Sequence, residues 1–374
     1  MRQQRPGIPR TVGPAVPPTG VAAARSTTGL VKIIVSLAVT VTLLIAVLPK
    51  AAGAPWADIT GVLGQLPLLD LVGLAALWLL GLYAYTFVLT GALPGLTHRR
   101  ALTLNLTGSA VANLVPFGGA LGVGLNYSMS RRWGFSKQAF ALYTLVSNLW
   151  VVLAKLSLPA LAIGVLVLTD NVAHPRLSAA AFAAMCALIA VVATVVALLA
   201  SERTAARLGR GAERVADAVL RLARRTRTVH LEQGAVAMRR ESIKVLRGAW
   251  PQLSLGMLTY SALQALLLWS CLHLLGSTLS PAQVFAGYAL ERVLTMVIVT
   301  PGGAGLVEVG MAALLVAFGG APAVTAAGIL LYRAFTFGIE VPIGGTGLLV
   351  WFWRRRRERR WTLPSPVRVL DEAA

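Results

Sequence analysis

The sequence predicts an all-α, polytopic integral membrane protein with six to eight transmembrane helices and two opposed broken-helix, re-entrant elements. Three observations lead there. First, 56% of the 374 residues are hydrophobic and 13% charged, with apolar runs at 30–48, 68–93, 179–200 and 253–275 that match the roughly 20 helical residues needed to cross a hydrocarbon core of about 30 Å. Second, the net charge of +20 is gathered into a few segments. Third, two otherwise apolar stretches are interrupted, one by Asn113-Leu-Val-Pro-Phe-Gly-Gly and one by Val299-Thr-Pro-Gly-Gly-Ala-Gly. In hydrocarbon an unpaired backbone group costs several kcal/mol, so Pro-Gly-Gly survives there only inside protein or beside a wet cavity.

The charge distribution orients the chain. Residues 1–32 carry +5, 98–100 +2, 131–137 +3, 201–250 +7 and the tail from 354 onward +4. The connections 49–67, 169–178 and 276–281 are each neutral. Lys and Arg mark the cytoplasmic side, so the basic segments, both termini included, are expected in the cytoplasm of a multi-pass cell-membrane protein. The same asymmetry makes the positive charge a membrane-topology signal rather than a nucleic-acid footprint. Three regions result: a disordered, Pro-, Gly- and Arg-rich basic tail at 1–29, a transmembrane domain at 30–353 that includes the basic cytoplasmic loop 201–250, and a basic cytoplasmic tail at 354–374.

Parity then fixes the elements in order. The run 30–48 is expected to be an uncleaved first span rather than a signal peptide, because it is long and further spans follow. The span 68–93 comes next. Residues 101–130 have basic connections at both ends and must enter and leave by one face, so they are expected to form two half-helices meeting at 114–119. Segments 138–168, 179–200 and 251–275 then cross in turn. Within loop 201–250, Leu208, Ala212, Val215, Val219 and Leu222 recur at helical spacing with arginines between them, which suits either an amphipathic helix on anionic lipid or a solvated helix. Residues 282–319 form a second re-entrant pair about Pro301, giving six spans; three crossings from 282 onward satisfy parity equally and give eight. The last segment, 323–353, exceeds the membrane thickness if straight and is expected to kink at 342–347, with Trp351, Phe352 and Trp353 as an interfacial belt beside Arg354.

Ionisable residues inside spans are functional candidates: Asp70, Lys155, Glu291, Arg292, Glu308, Arg333 and Glu340. Asp70 and Lys155 are ranked low, as snorkelling side chains. Glu308 follows the second break and Arg333 lies on the next helix, so the two can form a structural pair, or the guanidinium can take a phosphate in two contacts. The glycines of the breaks permit close backbone approach, and the half-helix after each break aims its N-terminal N–H groups inward, where anions bind. Asn113, Pro116, Gly118, Gly119 and Asn126 at the first break, and Pro301, Gly302, Gly303, Gly305, Glu308 and Arg333 at the second, are the expected substrate-binding residues. Asn113, Asn126, Tyr127 and Ser109 flank the first break and can hydrogen-bond the glycerol or headgroup of a lipid, or serve only to cap the broken helix.

Catalytic and metal signatures are missing. The histidines, His98, His174, His230 and His273, have no ligand spacing, Cys186 and Cys271 lie in apolar runs, and no Walker or His-Glu-x-x-His motif occurs. No cofactor and no enzymatic activity are expected, and a translocation driven by ATP would need an energising partner.

Asn113-Leu-Val-Pro-Phe-Gly-Gly-Ala with Arg131-Arg-Trp-Gly-Phe-Ser, and Thr300-Pro-Gly-Gly-Ala-Gly-Leu-Val-Glu308 with Leu331-Tyr-Arg333, resemble the lysylphosphatidylglycerol synthase transmembrane-region family over about 30–353. The resemblance implies flippase-like movement of an anionic or aminoacylated phospholipid between leaflets. It also implies that the soluble domain charging the lipid from tRNA is absent, since about 20 residues follow the last span. Where the family pattern has an acid after the first glycines, Gly119-Ala-Leu-Gly122 has none, so the headgroup can differ from a lysyl lipid, a polyprenyl-phosphate glycolipid included. The alternative is an accessory subunit presenting lipid to a separate glycosyl- or aminoacyl-transferase.

Overall fold

In a computed structural model, the structure describes residues 38–114, 118–169, 231–296 and 301–361, with single positions at 186, 190 and 193. Among the described residues every regular element is helical. In chain order these are α1 (Ala38–Ala52), α2 (Trp56–Leu63), α3 (Leu68–Ala92), α4 (His98–Leu114), α5 (Gly118–Arg132), α6 (Lys137–Leu168), α7 (Leu231–Leu274), α8 (Pro281–Leu294), α9 (Leu306–Ala317), α10 (Pro322–Arg333) and α11 (Glu340–Trp361).

Four helices are long and apolar enough to cross a membrane: 68–92, 137–168, 248–274, and 322–354, in which α10 and α11 run on through a π-helical stretch, Ala334–Ile339. A fifth crossing results if α1 and α2, bent by 90° at the intervening break, count as one. Six to eight spans are thus not reached among the described residues, and the expected span 179–200 lies almost wholly outside them. The N-terminal tail, the amphipathic stretch 208–222 and the residues after Trp361 also lie outside. Residues 231–250, assigned from sequence to a loop, are helical and continue without interruption into the span at 248–274. A π-helical segment, Ala334–Ile339, precedes the stretch 342–347 where the kink is expected, within one helix that runs on to Arg354. Pro342 has no N–H to offer the preceding turn, and a π-helical stretch absorbs such a defect while the axis runs on.

Two antiparallel hairpins of short helices fill the interior. In α4–α5, a Cβ on Gly122 would lie 2.9 Å from the Gly108 carbonyl, and one on Gly118 would strike the carbonyls of Val111 and Ala112. The Thr107 hydroxyl reaches Met129 Sδ at 3.7 Å near the open end. In α8–α9, Gly287 packs on Leu315 and Gly310 on Leu294, while Gln283 Nε2 donates to the Phe318 carbonyl at 3.3 Å. The helices of the second pair have 14 and 12 residues, about 21 and 18 Å at 1.5 Å per residue, too short to cross singly. The described parts of 282–319 thus pair as two antiparallel helices.

The continuous α10–α11 helix shows that the hairpins point at each other. Its start lies by the base of α8–α9, where Gly320 contacts Leu279. Its middle reaches the tip of that hairpin, where Arg333 meets Gly302. Beyond, Gly344 packs against Leu106 and Ala110 of α4, and Arg132, at the base of the first hairpin, sits 5.9 Å over the Trp351 ring. One helix thus follows the second hairpin from base to tip and the first from tip to base. The buried apolar residues divide accordingly. One cluster gathers α1, α2, α8, α9 and α10, the other α4 and α5, while α3, α6 and α7 contribute to both. Helices α3 and α7 pack antiparallel, Gly91 on Leu253 and Gly81 on Gln264.

Candidate functional site

The tips of the two hairpins touch. Gly302 has φ of 60°, and a Cβ there would lie 2.6 Å from the Phe337 ring and 2.7 Å from Asn113 Oδ1. Only glycine tolerates both the left-handed backbone and this approach. Asn113, the last polar residue before the first break, is therefore brought to the second. Helix α1 closes another side, with Leu43 against Gly305.

Around that meeting point lie Glu291, Arg292, Glu308 and Arg333, with Glu340 and Lys155 close enough to interact electrostatically with them. Gly305, at φ of 87°, donates its N–H to Glu308 Oε2 at 2.6 Å, so the first turn of α9 is capped by its own carboxylate. Arg333 Nε donates to Glu308 Oε1 at 2.6 Å and Arg333 Nη2 to the Gly302 carbonyl at 3.3 Å. Arg333 Nη1 stands 3.7 Å from Glu291 Oε1, and the guanidinium lies 5.2 Å over the Phe337 ring. Glu291 takes both prongs of Arg292, Nε at 3.0 Å and Nη2 at 2.5 Å, and accepts from the Tyr332 hydroxyl at 2.9 Å. That hydroxyl in turn accepts from Arg292 at 3.2 Å. Glu291, Glu308 and Arg333 are 0, 3 and 8% exposed, which unpaired charges could not be. These two carboxylates and two guanidinia pair with one another, Glu340 and Lys155 stand nearby, and the fork of Arg333 is directed at protein atoms.

This arrangement qualifies the expectation of an anion at the α9 N-terminus. The anion nearest that turn is Glu308 itself, because the residue three positions into a helix can reach back to the capping N–H.

Beside the first hairpin is a cavity of about 230 Å³ between α4–α5 and helices α3 and α6. Gly108, Gly119, Gly122 and Asn126 form its hairpin wall, Tyr85 the α3 wall, and Tyr143 to Asn148 the α6 wall. A Cβ on Gly119 would meet open space. The glycine that packing requires is Gly118, not Gly119.

The residues expected from sequence thus fall into two neighbouring places. Gly302, Gly305, Glu308 and Arg333 join Asn113 at the tips, with Gly303 buried between them, and Pro301 opens the 3-10 turn there. Gly119 and Asn126 line the cavity, Gly118 is the packing contact behind it, and Pro116 lies outside the described residues. Ser109 also lines the cavity, and Tyr127 packs on Phe140 with ring centres 5.4 Å apart. Sequence reasoning singled out Glu291 and Arg292 as intramembrane charges without placing them in the site. It missed Tyr332, whose signal was its place beside Arg333. It also missed the polar stripe Thr144, Ser147 and Asn148 on α6, legible as residues three and four apart on an otherwise apolar helix. Asp70 sits in the first turn of α3, where a carboxylate suits the helix dipole.

Long apolar helices enclosing two opposed, charge-bearing hairpins define a multi-pass membrane protein with a polar interior. The chain belongs to the lysylphosphatidylglycerol synthase TM region family, whose profile matches residues 31–344. No curated protein matches it. Membership associates the protein with membrane phospholipid.

Proposed function

We propose that the protein is a flippase-like translocator that carries the headgroup of an anionic or related membrane lipid past the meeting point of the two hairpins, with both termini cytoplasmic. The observation that carries this reading is the tip-to-tip contact of Gly302 with Asn113 between hairpins that approach from opposite ends of α10–α11. Each hairpin obstructs one half of the membrane thickness. Rocking one against the other opens one half at a time, the alternating access common to proteins with broken helices at mid-membrane.

The buried charges suit transfer rather than chemistry. Both oxygens of Glu308 and both of Glu291 are engaged by N–H or O–H donors, so neither carboxylate is poised to take a proton from a substrate. A lipid phosphate reaching the tips competes with Glu308 for Arg333 and for the Gly305 N–H. Glu308 remains beside the site when displaced, so an entering phosphate adds one negative charge there.

The test is a leaflet-resolved assay with the purified protein in liposomes carrying several labelled lipids. Movement of label by the protein alone supports the reading. Movement or product formation only when a separate transferase is added assigns the accessory role, and no lipid dependence in either assay overturns both.

A further inference from the structure

The cavity beside the first hairpin is polar and uncharged. Apart from the two phenols, no lining side chain is ionisable among the described residues. Its lining mixes donors and acceptors, the Tyr85 and Tyr143 hydroxyls and the amides of Asn105 and Asn126 among them. Thr144 Oγ1 donates to the Phe140 carbonyl at 2.9 Å, Ser147 Oγ to the Tyr143 carbonyl at 2.7 Å and Asn148 Nδ2 to the Thr144 carbonyl at 2.8 Å. The two hydroxyls thereby spend their proton on their own helix and keep oxygen lone pairs, while Asn148 keeps its carbonyl oxygen and a second N–H. Across the space, Asn126 Oδ1 is buried and has no hydrogen-bond partner among the described residues. A buried acceptor without a partner is destabilising, and its presence calls for a donor that binds there.

Three kinds of headgroup can be compared. A phosphate brings charge, and no lysine or arginine lines the space to balance it. An ammonium brings donors, but no carboxylate lines the space, and an unpaired buried cation is heavily penalised. Hydroxyl groups bring donors without charge. The volume, about 230 Å³, is below the roughly 300–1,000 Å³ of pockets that hold whole drug-sized ligands, room for one headgroup but not for its lipid. The rings of Phe140 and Tyr143, 5.6 Å apart, supply an apolar face for the C–H side of such a group.

Resting on the translocation reading, we propose that this cavity selects the substrate by its uncharged, hydroxyl-rich headgroup, a hexose or a glycerol, while the phosphate or acyl portion stays outside it. The protein is then a carrier of polyol-headed lipids, and Asn126 is its specificity-determining residue.

Binding to the full chain in detergent micelles, followed by native mass spectrometry, tests this with four lipids: glucosyl diacylglycerol, phosphatidylglycerol, phosphatidic acid and lysylphosphatidylglycerol. The two polyol lipids are expected to bind more tightly than the other two, and whichever of the pair binds better identifies hexose or glycerol as the fitted group. Asn126→Leu should weaken the polyol lipids by roughly three- to tenfold, the effect of one lost neutral hydrogen bond, and leave phosphatidic acid unchanged. Gly119→Leu, which enters open space, should block the polyol lipids without loss of folded protein. Asn126→Asp should shift preference towards the lysyl lipid. Equal or tighter binding of phosphatidic acid or the lysyl lipid by the unmodified protein overturns the proposal, as does indifference of polyol binding to all three variants. In the liposome assay, transport with no headgroup preference would defeat the cavity proposal and leave translocation standing. Selective binding with no transport would do the reverse.

Discussion

Neutralising one member of the Glu308–Arg333 pair should destabilise the protein strongly, and neutralising both should restore much of the loss. Glu308 accepts two short charge-assisted bonds, from Arg333 and from the Gly305 N–H, at 3% exposure. In Arg333→Gln the carboxylate keeps the backbone donor but loses the guanidinium it touches. Stranding a buried charge in this way costs about 3–5 kcal/mol. Glu308→Gln should cost less, because Arg333 retains the Gly302 carbonyl, the Phe337 ring and Glu291 at 3.7 Å, and the new amide still accepts from Gly305. The double variant leaves a neutral amide pair able to cap Gly305, and a coupling of about 2–3 kcal/mol is expected. Thermal unfolding in detergent reads this as a fall on the order of 5–10 °C for Arg333→Gln, a smaller one for Glu308→Gln, and partial recovery in the double variant. A double variant no more stable than Arg333→Gln would refute the pairing argument. Transport by the folded double variant then separates roles: its loss assigns Arg333 to the substrate, and its retention leaves Arg333 a structural residue.

Three further outcomes follow from the same geometry. Gly302→Ala should lower stability by about 1–3 kcal/mol and abolish transport, since its Cβ meets both Phe337 and Asn113, whereas Gly119→Ala should unfold with the unmodified protein; equal behaviour of the two in a melting assay would contradict the tip contact. Tyr332→Phe should destabilise by about 1.5–3 kcal/mol, the range for a hydrogen bond to a charged group, because its hydroxyl links Glu291 to Arg292; an unchanged melting temperature would show that link to be inert. In a background without Cys186 and Cys271, Thr278→Cys beside the base of α8–α9 should react with an impermeant thiol reagent in intact cells and Lys137→Cys beside the base of α4–α5 should not; labelling of both from the same side would end the opposed arrangement.

What the sequence alone determined is what depends on local chemistry and periodicity. Apolar length located the long helices at 68–92, 137–168 and 248–274, because crossing hydrocarbon demands a continuous run whatever the partners are. A proline with a glycine pair close behind it located both breaks, because proline and glycine interrupt a helix on their own account. Glu308 and Arg333 stood out as costly intramembrane charges. The tertiary structure alone decided how those pieces meet. That Asn113 touches Gly302 depends on α4 and the second break lying on one helix pair, a contact between residues far apart in the chain and therefore absent from any local pattern. That Glu308 caps Gly305 while holding Arg333, and that Tyr332 ties Glu291 to Arg292, depends on the angles at which α8, α9 and α10 pack. The π-helical stretch at Ala334–Ile339 was likewise not legible in the sequence: it lies just ahead of Pro342, whose missing N–H withdraws a donor from the preceding turn, and Gly344 packs on Leu106 beyond it.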